Sequence, residues 1–139
     1  MKYTKMLNSQ KVGIELYENL GKLFYAVAMA DGMVHIKELD KLKELVREDW
    51  LEVDTIEDRY HSDAAYQIET VFDWLLEYEK KSESCFKEFV NFYKEHSQLF
   101  PKPIKSLIIG TANAIASSFA RKNKAELVII AQLSLLFKE

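Results

Sequence analysis

Apolar residues recur at intervals of three and four along most of the chain, a period typical of amphipathic helices. In the first such segment, residues 10–30, one stripe carries Leu16, Leu20, Leu23, Phe24 and Val27. The pattern predicts six helices: residues 10–30, residues 36–50, one capped by Ser62, one capped by Ser82 or Ser84, one beginning at Pro103, and residues 125–137. Only 4 Gly and 2 Pro interrupt the chain, so an all-α fold is expected.

The last two predicted helices differ from the others in their side chains. Residues 125–137 read AELVIIAQLSLLF and are apolar nearly all round, which predicts a central helix buried in the core. This stretch is shorter than the roughly 20 residues that cross a bilayer, so no transmembrane segment is predicted. The preceding helix holds Gly110 among alanines and serines, which indicates close packing of another helix backbone there.

With 139 residues, the chain has about the length of one domain, and 48% hydrophobic and 29% charged residues suit a globular protein. We therefore predict a single compact helical domain over residues 1–139. The lone Cys85 cannot form an internal disulfide, and the N-terminus lacks the apolar run of a signal peptide. A cytoplasmic location is the simplest expectation.

Residues 30–40, ADGMVHIKELD, have half the spacing of a calcium-binding loop. Asp31 and Glu38 fall on the fifth and twelfth positions of an EF-hand, but Val27 and Met29 occupy the first and third and offer no side-chain oxygen. A helix end at Gly32 followed by a helix start near Glu38 explains the same residues without a metal. The alternative is a divalent-cation site.

A similar sequence pattern recurs near the end of the chain. AIASSFARKNKAEL echoes AMADGMVHIKEL with two more residues before the acid, and Asn123 and Glu126 have the spacing of a capping box. This echo predicts a pseudo-repeat of two helix-turn-helix units. Ser117 and Ser118 stand where the first unit has Asp and Gly, which weakens any prediction of paired metal sites.

These residues resemble the TerB-like family, named for tellurite resistance. The resemblance rests on Ala30–Gly32, Val34, Glu38–Leu39, the later alanine-rich helix, and Asn123–Leu127. It implies a compact all-helical cytoplasmic domain associated with chemical or envelope stress, for which metal binding by acidic residues has been proposed. No enzymatic reaction comes with it. The positions that match such an acidic site are Asp31 and Glu38, with His35 and Asp40 as possible additional ligands.

The charge and the positions of candidate catalytic residues limit the classes of function that the sequence favours. The net charge is −3, and residues 38–63 alone hold ten acidic and four basic side chains, which disfavours nucleic-acid binding. The usual nucleophiles and bases, Cys85, His35, His61 and His96, are scattered, and no cofactor motif occurs. We therefore predict a noncatalytic interaction module, with no cofactor and an unidentified protein partner. The alternative is a cation-binding protein, and the sequence does not determine the oligomeric state.

Overall fold

The computed structural model describes residues 2–30, 36–50, 63–118 and 124–138. Within these ranges there are six α-helices, one short 3₁₀ helix at Ser97–Leu99, and no strand. The helices are α1 (Lys2–Ala28), α2 (Ile36–Trp50), α3 (Asp63–Glu77), α4 (Ser82–Glu95), α5 (Lys102–Ser118) and α6 (Lys124–Lys138). The all-α prediction is confirmed.

The predicted and observed helix boundaries agree closely except at the start of the chain. Helix α2 has the predicted ends, whereas α1 begins at Lys2, eight residues earlier than the apolar stripe indicated. No Gly or Pro occurs in residues 2–12, so nothing in that segment interrupts helical hydrogen bonding. Apolar spacing located the buried part of α1 and missed the extension beyond it.

Helix α1 is the central helix of the bundle. It packs against α3, α4, α5 and α6, while α2 packs chiefly against α3 and α5. Six consecutive residues of α1, from Leu23 to Ala28, are buried. Because successive side chains point about 100° apart around a helix, six buried in a row mean that this last part of α1 is covered on all sides. Together with this part of α1, residues of the other five helices form one hydrophobic core.

The prediction that the last helix is the central core helix is wrong. Helix α6 packs chiefly against α5, and less extensively against α1 and, through Phe137, against α4. Among its described side chains, residues 127–138, only Ile130 and Leu133 are buried, while Leu127, Val128 and Leu135 are 51%, 52% and 64% exposed. A helix at the edge of a bundle can bury only the face turned to its neighbours, whatever the composition of the other face.

The close packing predicted at Gly110 occurs instead at Gly21. A Cβ atom built on Gly21 of α1 would lie 2.9 Å from the Val71 Cβ and 3.2 Å from the Ile68 carbonyl oxygen of α3, whereas one on Gly110 would meet nothing within 4 Å. Gly21 therefore allows α1 and α3 to approach each other more closely than any larger residue would permit. Gly110 is exposed.

Polar contacts hold α2 against the neighbouring helices. Between α2 and α3, Arg47 pairs with the buried Glu69 at 2.7 Å and Lys43 with Asp73 at 2.8 Å. The buried Trp50 indole donates a hydrogen bond to the Thr111 hydroxyl of α5 at 3.1 Å. These contacts close α2 over α3 and α5.

The C-terminal end of α6 is held by an aromatic cluster. The Phe137 ring lies 5.2 Å from that of Tyr93 and 6.4 Å from that of Phe89, measured between centroids. Lys105 of α5 places its ammonium over the Tyr93 and Phe137 rings and donates a hydrogen bond to the Phe137 carbonyl at 3.3 Å. A cation at this position also complements the negative end of the helix dipole. The first half of α6 has no comparable anchor within the described residues.

Candidate binding groove

The end of α1 is closed by a hydroxyl from another helix. The Ala30 amide donates to the Val27 carbonyl, so it does not complete the regular helical bond to Ala26. The Ala26 carbonyl instead accepts a hydrogen bond from the Ser82 hydroxyl at 2.6 Å. The carbonyls of the last helical turn have no partner within their own helix, and Ser82 of α4 satisfies one of them.

Ser82 therefore does not act as the predicted N-cap of α4. The residue before the helix is Lys81, and its side chain makes no capping hydrogen bond. Ser82 is the first helical residue, and its hydroxyl is committed to α1. Sequence spacing identified a serine at the right place, but only the position of α1 determines what its hydroxyl contacts.

The turn between α3 and α4 is also fastened to α1. The Lys80 amide donates to the Leu75 carbonyl and the Glu79 amide to the Leu76 carbonyl, the pair of bonds that defines a Schellman helix end. Glu79 has a φ of 50° in this motif, at the position where glycine is usual. The Tyr25 hydroxyl of α1 donates to the Lys80 carbonyl at 3.0 Å, which ties the turn to the central helix.

An open groove of about 740 Å³ lies beside this turn. It is bounded by the end of α1, the end of α3, the start of α4 and the first half of α6. The lining residues are Tyr25, Met29, Ala30, Leu76, Glu79, Lys80, Lys81, Ser82, Glu83, Phe86, Val128, Ile129 and Gln132. Six of these thirteen are exposed, so the groove is a surface depression rather than a closed cavity.

The floor of the groove is apolar and its rim is charged. Met29, Leu76, Phe86 and Ile129 are half-buried, and Val128 adds an exposed apolar side chain from α6. The charged rim comes entirely from residues 79–83. Such a surface presents apolar contact area with charged groups along its edge.

Two groups near the groove have shifted pKa values, and both shifts favour the neutral form. Burial, followed by the charges of Cys85 and Glu79, raises the pKa of the Tyr25 hydroxyl above its ordinary value of 10.0. Burial, followed by the charge of Glu88, raises the pKa of the Cys85 thiol to about 11. At neutral pH Tyr25 therefore remains a hydrogen-bond donor, and Cys85 is a protonated core residue instead of an activated thiolate.

The residues proposed from sequence for a cation site are only partly described. Asp31 and His35 lie outside the described residues, Glu38 is a helical residue of α2 whose side chain is not described, and Asp40 is exposed on α2. In the part of the chain that the structure describes, no three histidine, cysteine or acidic side chains are grouped to hold a metal. The cation site stays a prediction.

The pseudo-repeat also stays a prediction, because both of its turns, residues 31–35 and 119–123, lie outside the described residues. This includes Asn123, the predicted cap of the last helix, while Glu126 is described only as part of α6. The helix pairs on either side of the two turns pack differently. Helix α6 packs against α5, its predecessor in the chain, whereas α2 packs chiefly against α3 and α5.

Sequence reasoning did not find the groove. Its residues come from four helices and from the turn before α4, where the sequence pattern indicates only a helix boundary. One available signal was the all-round apolar character of α6, which indicates either full burial or an exposed apolar face.

Comparison of the chain with protein-family models, with curated proteins and with solved structures gave no match. Across the described ranges, no helix is both long enough and apolar enough to span a membrane.

Proposed function

We propose that this protein is a noncatalytic interaction module that binds a protein partner in the groove between α1, α4 and α6. The observation that carries the proposal is the open groove, about 740 Å³ in volume, with an apolar floor and a charged rim. Contiguous exposed apolar surface on a globular protein marks interaction sites more often than isolated apolar residues do.

The shape of the groove favours a macromolecular segment over a small molecule. Small ligands are usually enclosed, with most of their surface buried in a concave pocket. Here nearly half of the lining residues are exposed, so a compact ligand would keep much of its surface in water. An extended segment can instead lie along the groove and contact several lining helices.

The wall of the groove is preorganised for binding. Tyr25 and Ser82 donate hydrogen bonds that fix the turn before α4 and the start of α4 against α1. A partner that binds this wall does not have to order it first, which lowers the entropic cost of association.

Site-specific photo-crosslinking in cells tests the proposal. A photoreactive phenylalanine analogue at Gln132, an exposed lining residue, should capture a discrete protein partner. The matched position is Lys94, exposed on α4 outside the groove, where capture of the same partner should be absent. Equal capture at both positions, or no adduct at Gln132, would contradict the proposal.

On the basis of the resemblance to TerB-like proteins, we further propose that the module acts in the response to tellurite or envelope stress. Deletion of the gene should then increase sensitivity to potassium tellurite or to envelope-damaging agents, and a copy with a disrupted groove should fail to restore growth.

Within the described residues no observation favours the cation-binding alternative. Thermal unfolding with and without Ca²⁺, Mg²⁺, Mn²⁺ or Zn²⁺ tests that alternative directly, because a bound ion raises the midpoint.

A further inference from the structure

The four walls of the groove are not equally well fastened. Three of them, the end of α1, the end of α3 and the start of α4, are joined by the hydrogen bonds that the Tyr25 and Ser82 hydroxyls donate. The Lys80 ammonium also lies over the Trp74 ring, 5.7 Å from its centroid, which adds a cation–π contact between the turn and α3. These three walls therefore form one connected unit.

The fourth wall is the first half of α6, residues 127–132. Within the described ranges, no side-chain hydrogen bond or ion pair joins these residues to another helix. Ile130 is buried and Ile129 is half-buried, whereas the other four side chains of this segment are exposed. Apolar contact through two isoleucines is thus what holds this part of α6 on the bundle.

The end of α6 is anchored more firmly. Leu133 is fully buried, and the Phe137 ring lies 5.2 Å from that of Tyr93 and 6.3 Å from that of Phe100, measured between centroids. The Lys105 ammonium donates a hydrogen bond to the Phe137 carbonyl. Segments with few buried contacts open at a lower free energy than well-packed ones, so movement of α6 turns it about this anchored end.

Both sides of the groove carry apolar side chains. Val128 and Ile129 line it from α6, and Leu76 and Phe86 line it from the fixed walls. Val128 is 52% exposed, and the groove of about 740 Å³ leaves room for an inward tilt of the helix. Such a tilt brings the two apolar surfaces together and removes their area from water, which is favourable.

We infer that the first half of α6 is a lid, which pivots about the anchor at Phe137 and closes the groove of the free protein. The occupant of the closed groove is then residues 127–132 of the chain itself. The movement does not depend on a partner, but its effect on binding rests on the proposed function. Because only the open fraction admits a partner, closure lowers the apparent affinity in proportion to that fraction.

A pivot predicts displacements that grow with distance from the anchor. At about 1.5 Å per residue, Leu127 lies about 15 Å along the helix from Phe137, whereas Leu135 lies about 3 Å from it. A tilt of about 20° therefore moves Leu127 by about 5 Å and Leu135 by about 1 Å. The two leucines are both exposed and so accept labels without loss of core packing.

Distances between paired spin labels on the full chain measure this movement. Cys85→Ala, or Cys85→Val should the alanine variant fail to fold, removes the only cysteine. Lys87→Cys, at an exposed position of α4 outside the groove lining, is then combined with Leu127→Cys in one protein and Leu135→Cys in another. Pulsed electron resonance should show a second population, about 5 Å shorter, for the Leu127 pair and one narrow distribution for the Leu135 pair.

A substitution in the groove lining tests whether the movement closes the groove. In the Leu127-labelled protein, Val128→Asn removes apolar surface that closure buries and leaves the anchor intact, so the short population should fall at least about fivefold. The matched control is Leu135→Asn in the same labelled protein. It changes an exposed leucine of α6 outside the groove lining and should leave the short population within about twofold.

Each contrary result identifies a different error. Narrow distributions for both labelled pairs would mean that α6 does not move, and equal displacements would mean that it moves as a whole; either result overturns the inference. A short population that survives Val128→Asn would show that the movement is not closure of the groove. Photo-crosslinking at Gln132 tests the partner separately, so a lid that fails leaves the binding proposal standing, and a missing partner leaves the lid measurable.

Discussion

Helices α1 and α6 reverse the expectation that the more apolar helix lies deeper in the core. The second half of α1 contains Glu18 and Lys22 yet is buried without a break from Leu23 to Ala28. Helix α6 has an uninterrupted apolar run but buries only Ile130 and Leu133 among its described side chains. The difference lies in the neighbours: α1 packs extensively against α3 and α4 and also against α5 and α6, whereas α6 packs chiefly against α5. The exposed apolar surface on α6 therefore follows from the position of this helix at the edge of the bundle.

The same substitution placed on each helix gives the largest expected contrast. Leu23→Ala in α1 should lower the free energy of unfolding by about 2–5 kcal/mol, because it removes a fully buried side chain and leaves a cavity. Leu135→Ala in α6, where the leucine is 64% exposed, should change it by no more than about 0.5 kcal/mol. Chemical denaturation monitored by circular dichroism measures both. Comparable losses would mean that α6 is covered in solution.

Substitutions at Gly21 of α1 and Gly110 of α5 test the close contact that keeps α1 central. Gly21→Ala should cost about 1–3 kcal/mol, because its Cβ would approach Val71 at 2.9 Å and force α1 and α3 apart. Gly110→Ala should instead add about 0.5–1 kcal/mol, since open space surrounds the new Cβ and alanine favours the helix. Thermal and chemical unfolding of both variants should therefore give opposite signs. Stabilisation by Gly21→Ala would show that α1 is packed less tightly than the structure indicates.

The serine that closes the end of α1 should have a smaller effect. Ser82→Ala removes the 2.6 Å hydrogen bond to the Ala26 carbonyl and should cost about 1 kcal/mol. Ser84→Ala, at an exposed position two residues later in α4, serves as the control and should stay within about 0.5 kcal/mol. If the two variants were equally stable in urea titrations, the Ser82 hydroxyl would contribute nothing beyond a surface serine.

The last expected effect appears only in alkali, as a loss of stability that comes from groups in α1 and α4. Because burial raises the pKa of Cys85 to about 11, the folded protein retains a proton between pH 9 and 11 that the unfolded chain releases. The unfolded state then binds fewer protons than the folded state, so stability falls as pH rises through this window. Tyr25 acts in the same direction, because its pKa is raised above 10.0.

Melting temperatures measured from pH 7 to pH 10.5 test this dependence. Cys85→Ala should show a shallower decline above pH 9 than the unmodified chain, whatever its stability at pH 7, because the titrating thiol is gone. A decline of the same slope in both proteins would assign the alkaline loss to other groups.

Much of the fold could be predicted from local patterns. The buried stripe of α1 at Leu20, Leu23, Phe24 and Val27 and the ends of α2 both follow from apolar spacing, because helical periodicity is a property of neighbouring residues in the chain. The groove could not be predicted in this way. Whether the Ser82 hydroxyl caps its own helix or closes α1 depends on residues more than fifty positions apart.

The sequence by itself determined the all-helical class, the number of helices and most of the apolar faces, because each depends on interactions within a few turns. Only the tertiary structure decided that α1 is central and α6 peripheral, that Gly21 rather than Gly110 permits close packing, and that Lys80 turns onto Trp74. The physical reason is that burial and charge pairing depend on which distant segments become neighbours. Hydrophobicity makes a surface favourable to cover, and the arrangement of the other helices determines whether anything covers it.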